Sequence, residues 1–232
     1  MVFYPSHWKT GAQQRGFTLV ELLVALALMA IMAALSWRGL DAVVGAQKRL
    51  AQHADDVLTL QTGLAQWSSD LDALARQPNT PSMDWDGRAL RLLRRGSQSP
   101  SEGLYVVAWA QRRVGNTAYW LRWQSPVLYT RAQLLSAWSQ AARWGQNPSD
   151  ADRRLEVRIT PLASWQIFFY RSGAWSNPLS SGDAAPSTSP NTEPSASSVP
   201  EGVRLLLTLP PDQAISGLIT RDWAQPGLGA GP

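Results

Sequence analysis

The chain has 232 residues, a formal net charge of +4 and no cysteine. The lack of cysteine excludes disulfides and thiolate chemistry, and the two histidines leave little material for histidine-based catalysis. The length predicts one globular domain beyond an apolar N-terminal segment.

The N-terminal residues combine a basic leader with an apolar run of bilayer-spanning length. Lys9 and Arg15 precede the run from Phe17 to Trp37, whose single charged residue is Glu21. About 20 helical residues cross a hydrocarbon core of about 30 Å, so the run predicts one transmembrane helix with a cytoplasmic N-terminus. A carboxylate at mid-helix costs roughly 2.5–3.5 kcal/mol in a bilayer, and Glu21 therefore needs a cationic partner. Cleavage after Gly16 would create one, the ammonium group of Phe17, on the same helical face.

The segment Arg15 to Ala27, RGFTLVELLVALA, resembles the class III signal of type IV pilins and type II secretion pseudopilins. The resemblance implies that a prepilin peptidase cleaves between Gly16 and Phe17 and then methylates the new N-terminal Phe17. It also implies that Glu21 pairs with the N-terminal ammonium of a neighbouring subunit during assembly. Residues 1–16 are then a cleaved leader, and Phe17 to Trp37 stays on the mature protein as its anchor. The alternative is an ordinary signal anchor with an incidental glutamate.

Beyond the anchor, the apolar residues narrow to a stripe with spacings near three, four and seven, which is typical of an amphipathic helix. No proline interrupts the chain before Pro78. The pattern therefore predicts one long helix in two parts, a transmembrane half over 17–37 and an amphipathic half over 38–77.

Residues 78–224 predict a β-rich periplasmic domain. Alternation of apolar and polar residues indicates strands at 89–94, 104–109, 118–123, 154–159, 165–170 and 203–209. Gly115-Asn116 and Ser172-Gly173 are candidate hairpin turns, and one helix is predicted from Arg131 to Trp144. Composition predicts a disordered loop over 177–200 and a disordered tail over 225–232. The predicted fold class is α+β and pilin-like, with a long N-terminal helix packed on an antiparallel sheet.

No motif for catalysis, for a cofactor or for a metal stands out, and the chain is predicted not to be an enzyme. Asp70 with Asp72 and Asp150 with Asp152 are acid pairs that we assign to solvated segments. The Asp84-Trp85-Asp86-Gly87 stretch lacks the late acidic ligand of an EF-hand and predicts a turn before the Ala89 strand.

The chain has 12 tryptophans. Exposed tryptophans with nearby arginines would suit carbohydrate or single-stranded nucleic acid. Tryptophans within strand patterns, such as Trp109 and Trp120, are more typical of a core or a subunit interface, so no nucleic-acid partner is expected. The arginines that alternate along the Ala89 strand predict a solvated sheet face.

Three segments resemble the J-type minor pseudopilin of type II secretion: Leu58 to Leu74, Phe168 to Trp175, and Pro200 to Leu205. Glu21 argues against the K-type tip protein, which lacks that carboxylate. The resemblance implies an inner-membrane subunit that joins I-, K- and H-type subunits and the major pseudopilin, initiates the pseudopilus and supports protein export. The alternative is a W-type minor pilin of a type IV pilus, with a role in pilus assembly, adhesion or DNA uptake.

Overall fold

The computed structural model describes residues 16–96, 103–180, 199–211 and 213–226. The chain divides into two units, Met1–Gln52 and His53–Pro232. One helix, α1 (Leu19–Asp72), has residues in both.

In the N-terminal unit, α1 is uninterrupted and has no charged residue from Leu22 to Trp37. The Thr18 Oγ1 accepts a hydrogen bond from the Glu21 N–H at 3.3 Å, which satisfies one of the free N–H groups at the start of a helix. The helix therefore begins at Leu19, after Phe17 and not at it. Each residue from Leu19 to Val44 is exposed, and α1 is long and apolar enough to cross a membrane.

In the C-terminal unit, α1 ends at Asp72, so the predicted end at Gln77 is wrong. The residues that follow are drawn into backbone pairing with a strand instead. The Ala75 N–H donates to the Leu93 carbonyl at 2.8 Å, and the Arg95 N–H donates to the Ala73 carbonyl at 2.9 Å. No proline prevents the helix from continuing here, but these backbone groups form their hydrogen bonds with the sheet in place of the next helical turn.

Two antiparallel sheets form the rest of the C-terminal unit. The first sheet has the order β1-β2-β3-β4-β5 and consists of β1 (Met83–Trp85), β2 (Ala89–Arg95), β3 (Leu104–Val114), β4 (Thr117–Gln124) and β5 (Glu156–Pro161). The second sheet has the order β7-β6-β8-β9 and consists of β6 (Ser164–Arg171), β7 (Ala174–Ser176), β8 (Gly202–Leu209) and β9 (Gly217–Ala224). Helices α2 (Arg131–Gln146) and α3 (Asp150–Arg153) lie between β4 and β5 in the chain. The predicted α+β fold class is confirmed.

The predicted hairpin turns are confirmed by strand register and backbone conformation. Val114 pairs with Thr117 across Gly115-Asn116, where Gly115 has a φ of 64°. Arg171 pairs with Ala174 across Ser172-Gly173, where both turn residues have positive φ. The first pattern is that of a type II′ turn and the second that of a type I′ turn, both of which match the twist of paired strands.

The first sheet separates two cores. On one face, Trp109 and Trp120 join the α1 residues Trp67 and Leu71 and the inner residues of the second sheet. On the other face, Leu93 and other residues of the first sheet pack with α2, which begins with a capping box between Thr130 and Gln133. The prediction of a solvated face on the Ala89 strand is therefore wrong, because β2 is covered on both sides. Two of its three arginines are instead paired with acids, Arg91 with Asp84 and Arg94 with Asp70, and Arg95 at the end of the strand is exposed.

Three predicted segments fall wholly or partly outside the described residues. The leader 1–16 is described at Gly16 alone, the loop 177–200 at its two ends, and the tail 225–232 at Gln225 and Pro226. At the described ends of the loop, the Asn177 side chain accepts a hydrogen bond from the Leu179 N–H, and Pro200 is buried.

Candidate functional site

The predicted processing junction lies in non-helical backbone just before α1. Gly16, Phe17 and Thr18 have no regular secondary structure and are exposed, with 81% of Phe17 accessible. Exposed backbone outside helices and strands is where proteolytic cleavage is favoured. The Gly16–Phe17 bond lies in exposed backbone without regular structure, whereas the bonds that follow Leu19 lie within α1.

Glu21 occupies the first turn of α1, where its backbone N–H is held by Thr18. A carboxylate in the first turn interacts favourably with the partial positive charge of a helix N-terminus. Glu21 forms no ion pair with the residues that the structure describes. The carboxylate thus lies near the predicted cleavage junction and has no ion-pair partner among the described residues.

The side chains that follow Glu21 form an apolar surface on all sides of the helix. Leu22 to Leu35 includes no charged residue, and Trp37 and Arg38 follow, as is favoured at a membrane interface. A helix that is apolar all around must be covered by lipid or by other helices. The N-terminal unit therefore has the properties of a single-pass membrane anchor.

A second polar centre, missed from the sequence, lies where α1 meets the first sheet. Asp70 is 0% exposed and accepts hydrogen bonds from Arg94 at 2.5 Å and from Arg122 at 2.8 and 2.9 Å. Trp109 Nε1 donates to it at 3.0 Å and Gln66 Nε2 at 2.8 Å. These five residues, here called the Asp70 cluster, join the helix to strands β2, β3 and β4. A buried carboxylate needs this number of donors because it has lost its water.

Our assignment of Asp70 to a solvated segment is therefore wrong. Trp67, Leu71 and Leu74 of the apolar stripe surround it at helical spacing, which indicates that Asp70 lies on the buried face. This spacing is a sequence signal from which the burial of Asp70 could have been predicted. Asp72 is exposed as predicted, but its carboxylate accepts a hydrogen bond from Trp223 Nε1 of β9 at 2.8 Å.

The other acid pair also divides into a buried and an exposed residue. Asp150 is exposed, whereas Asp152 is buried, so the solvated assignment fails for Asp152. Burial by itself would raise the pKa of Asp152, but hydrogen bonds from Gln140 and Ser149 and the charge of Arg143 outweigh it. They hold the pKa of Asp152 below its ordinary value.

Asp86 and Gly87 lie in the turn between β1 and β2, as predicted, whereas Asp84 and Trp85 belong to β1. The Asp86 carboxylate accepts hydrogen bonds from the Arg88 and Ala89 N–H groups, and Gly87 has a φ of 86°. Asp84 pairs with Arg91. In the described residues, no three His, Cys, Asp or Glu side chains come together as a metal site would require.

The tryptophans of the strand patterns are mainly core residues, as predicted. Trp109 and Trp120 are fully buried, with ring centroids 4.5 Å apart, and Trp67 packs edge-on against Trp109 at 5.4 Å. Rings buried in this way are unavailable to stack on sugars or bases. Trp175 is partly exposed and lies under Arg204, with the Arg204 Cζ 4.3 Å from the ring centroid.

Comparison with known proteins supports the interpretation of the N-terminal segment. Residues 11–37 match the family model for the prokaryotic N-terminal methylation motif, which confirms the prepilin-type resemblance there. No curated protein matches the chain in sequence. Among solved structures, the chain is similar to one chain of the GspK–GspI–GspJ complex from the type 2 secretion system of enterotoxigenic Escherichia coli. The two share 16% sequence identity with a TM-score of 0.45, over 73% of this chain and 96% of that chain.

Proposed function

We propose that this chain is a non-enzymatic minor pseudopilin of the J type. In this proposal it is assembled at the tip of a type II secretion pseudopilus, which it helps to initiate for protein export. The observation that carries the proposal is the arrangement at the N-terminus of α1. An accessible Gly16–Phe17 bond precedes an apolar helix whose first turn holds one carboxylate, Glu21.

The proposed maturation supplies the charge that Glu21 lacks. Hydrolysis between Gly16 and Phe17 by a prepilin peptidase releases the leader and leaves an ammonium group on Phe17, which the same enzyme methylates. The methylated amine stays cationic, so the modification keeps the charge. Leaving Glu21 unpaired at mid-bilayer would cost roughly 2.5–3.5 kcal/mol, and less near the membrane surface.

The pairing of Glu21 selects a register between subunits. Apolar contacts between α1 and its neighbours do not fix the register of one helix against another, because lipid tails and leucine side chains are equally apolar. One desolvated charge pair between Glu21 and the neighbour's N-terminal ammonium adds the missing specificity. In this proposal the protein lies in the inner membrane with a cytoplasmic N-terminus, since basic residues precede the apolar run, and its C-terminal unit is periplasmic.

The J-type assignment is supported by the resemblances in Leu58 to Leu74, Phe168 to Trp175 and Pro200 to Leu205. It predicts the I-, K- and H-type minor pseudopilins and the major pseudopilin as partners. Purification of the full chain from membranes of its own host identifies those partners directly. Recovery of type IV pilus subunits in place of pseudopilins would assign the chain to the W-type minor pilins.

The test of the assembly role separates maturation from incorporation. Glu21→Ala and Glu21→Gln should be cleaved normally, since the Gly16–Phe17 bond is intact, but should co-purify poorly with partner subunits. Asp41→Ala, on the exposed surface of the same helix, is the matched control and should assemble normally. Mass spectrometry of the N-terminal peptide measures cleavage and methylation in each variant. Normal assembly of Glu21→Ala would refute the pairing role. An N-terminus that is neither cleaved nor methylated in the wild-type protein would refute the proposed function.

A further inference from the structure

A groove of about 460 Å³ lies in the C-terminal unit between α1 and the edge strand β5. One wall is formed by Asp55 to Gln66 of α1 and the other by Val157 to Ile159, which belong to the last strand of the first sheet. The size lies within the range of about 300–1,000 Å³ that is typical of ligand pockets. Nothing in the proposed maturation or in the pairing of Glu21 uses this surface.

The walls of the groove are apolar and accessible. Leu58 on the helix and Val157 on the strand are each 59% exposed. The helix lies close to the strand here because Gly63 has no side chain, and an added Cβ would overlap the Ile159 Cγ2. The close approach brings Leu58 and Val157 to the two sides of one surface, where an apolar partner would remove both from water.

One wall also carries a positive charge that the fold does not neutralise. Two guanidinium groups, those of Arg94 and Arg122, share the single carboxylate of Asp70. Arg122 lines the groove, whereas Arg94 does not. The other charged residues of the lining, Asp55 and Arg158, have opposite signs and cancel. The lining of the groove is therefore mainly apolar with a net charge of +1. Arg122 carries this charge, and its guanidinium is held in place by Asp70.

We propose that this groove is the docking site for an apolar segment of a partner subunit that carries one carboxylate side chain. The apolar side chains would cover Leu58 and Val157, and the carboxylate would bind the guanidinium of Arg122. Charge complementarity is the reason for this choice of occupant, because a purely apolar segment would leave the excess cation desolvated. Since β5 is an edge strand, an extended segment could also form backbone hydrogen bonds with it. The inference deepens the proposed function, because it identifies the surface through which the C-terminal unit selects its neighbour.

The chain has no cysteine, so an introduced cysteine is a unique attachment point for a cross-linker. The experiment uses the full chain in membranes of its own host, with Val157→Cys labelled by a benzophenone maleimide. Leu218→Cys, which is 65% exposed on β9 of the other sheet, is the matched control. We expect Val157→Cys to cross-link to a different polypeptide at a site next to an aspartate or glutamate, and Leu218→Cys not to do so.

Two further variants test the role of the charge. Arg122→Gln and Arg94→Gln each leave one arginine on Asp70, but only the first removes the cation that faces the groove. We expect the yield of the Val157 cross-link to fall about tenfold in Arg122→Gln and to be kept in Arg94→Gln. Tryptophan fluorescence of the purified variants checks that both are folded. If one is not, the matching Arg→Lys variant replaces it, and Arg122→Lys should retain the cross-link because it retains the charge.

Each other outcome overturns the docking inference. Cross-linking to lipid, to a second copy of this chain, or to nothing above the Leu218 control would exclude the proposed occupant, and so would equal yields from the two arginine variants. The N-terminal peptide is analysed in the same samples. A methylated Phe17 with no groove cross-link would refute the groove alone, whereas an unmethylated Phe17 would refute the proposed function.

Discussion

The Asp70 cluster offers the sharpest test of how the C-terminal unit is held together. Replacing Asp70 with alanine removes the acceptor of five hydrogen bonds, two of which come from Arg122. It also leaves two guanidinium groups without a counter-charge in a site where Asp70 is fully buried. Removing one partner of a buried ion pair typically destabilises a protein by about 3–5 kcal/mol. Because two cations depend on this one acid, we expect a loss near the upper end of that range.

The matched control is Asp222→Ala, which removes the same side chain from an exposed pair. Arg204 donates to Asp222 at 2.8 and 2.6 Å and holds the pKa of that carboxyl below its ordinary value. Water replaces the lost partner there, so we expect a much smaller loss of stability. Urea unfolding of the full-length protein in detergent, followed by tryptophan fluorescence, measures both variants. Equal losses in the free energy of unfolding for Asp70→Ala and Asp222→Ala would refute the view that the Asp70 cluster stabilises the contact between α1 and the first sheet.

Two further predictions concern packing and pH. Gly63→Ala should destabilise the C-terminal unit by about 1–3 kcal/mol in the same urea assay, because the new methyl group overlaps Ile159. Gly45→Ala, which has open space around its Cα, should not destabilise it, and the reverse order would contradict the packing argument. Since its folded pKa is depressed, Asp152 stabilises the fold above pH ~4, and this contribution is lost as pH falls through the folded pKa. Melting curves at falling pH should show a smaller acid-induced loss in Asp152→Asn than in the exposed control Asp150→Asn; identical curves would refute the linkage.

Local signals were sufficient for the elements that the sequence predicted well. The hairpins at Gly115 and Ser172 depend on backbone conformations that particular residue types favour over two positions. Helix α2 depends on an apolar stripe and on a capping box within four residues. Each of these features is set by neighbours in the chain.

The elements that the sequence missed depend on distant partners. Strand β9 contains Arg221 and Asp222 at adjacent positions and lacks clear alternation, yet it pairs along its whole length with β8. Strands β1 and β7 are three residues long and are stabilised by backbone pairing with β2 and β6. Period-two patterns do not reveal such strands, because the partner strand supplies their hydrogen bonds.

By itself, the sequence determined the N-terminal features of this protein: the exposed Gly16–Phe17 junction, Glu21 in the first turn, and the apolar helix that follows. These depend on residue type and on spacing along one helix, which are local properties. Only the tertiary structure decided that Asp70 is buried beneath two arginines, because a charge is buried or solvated according to the residues that distant strands place around it. It also decided that Arg94 of β2 and Arg122 of β4 share the one carboxylate of Asp70 on α1, which leaves one excess positive charge beside an apolar groove.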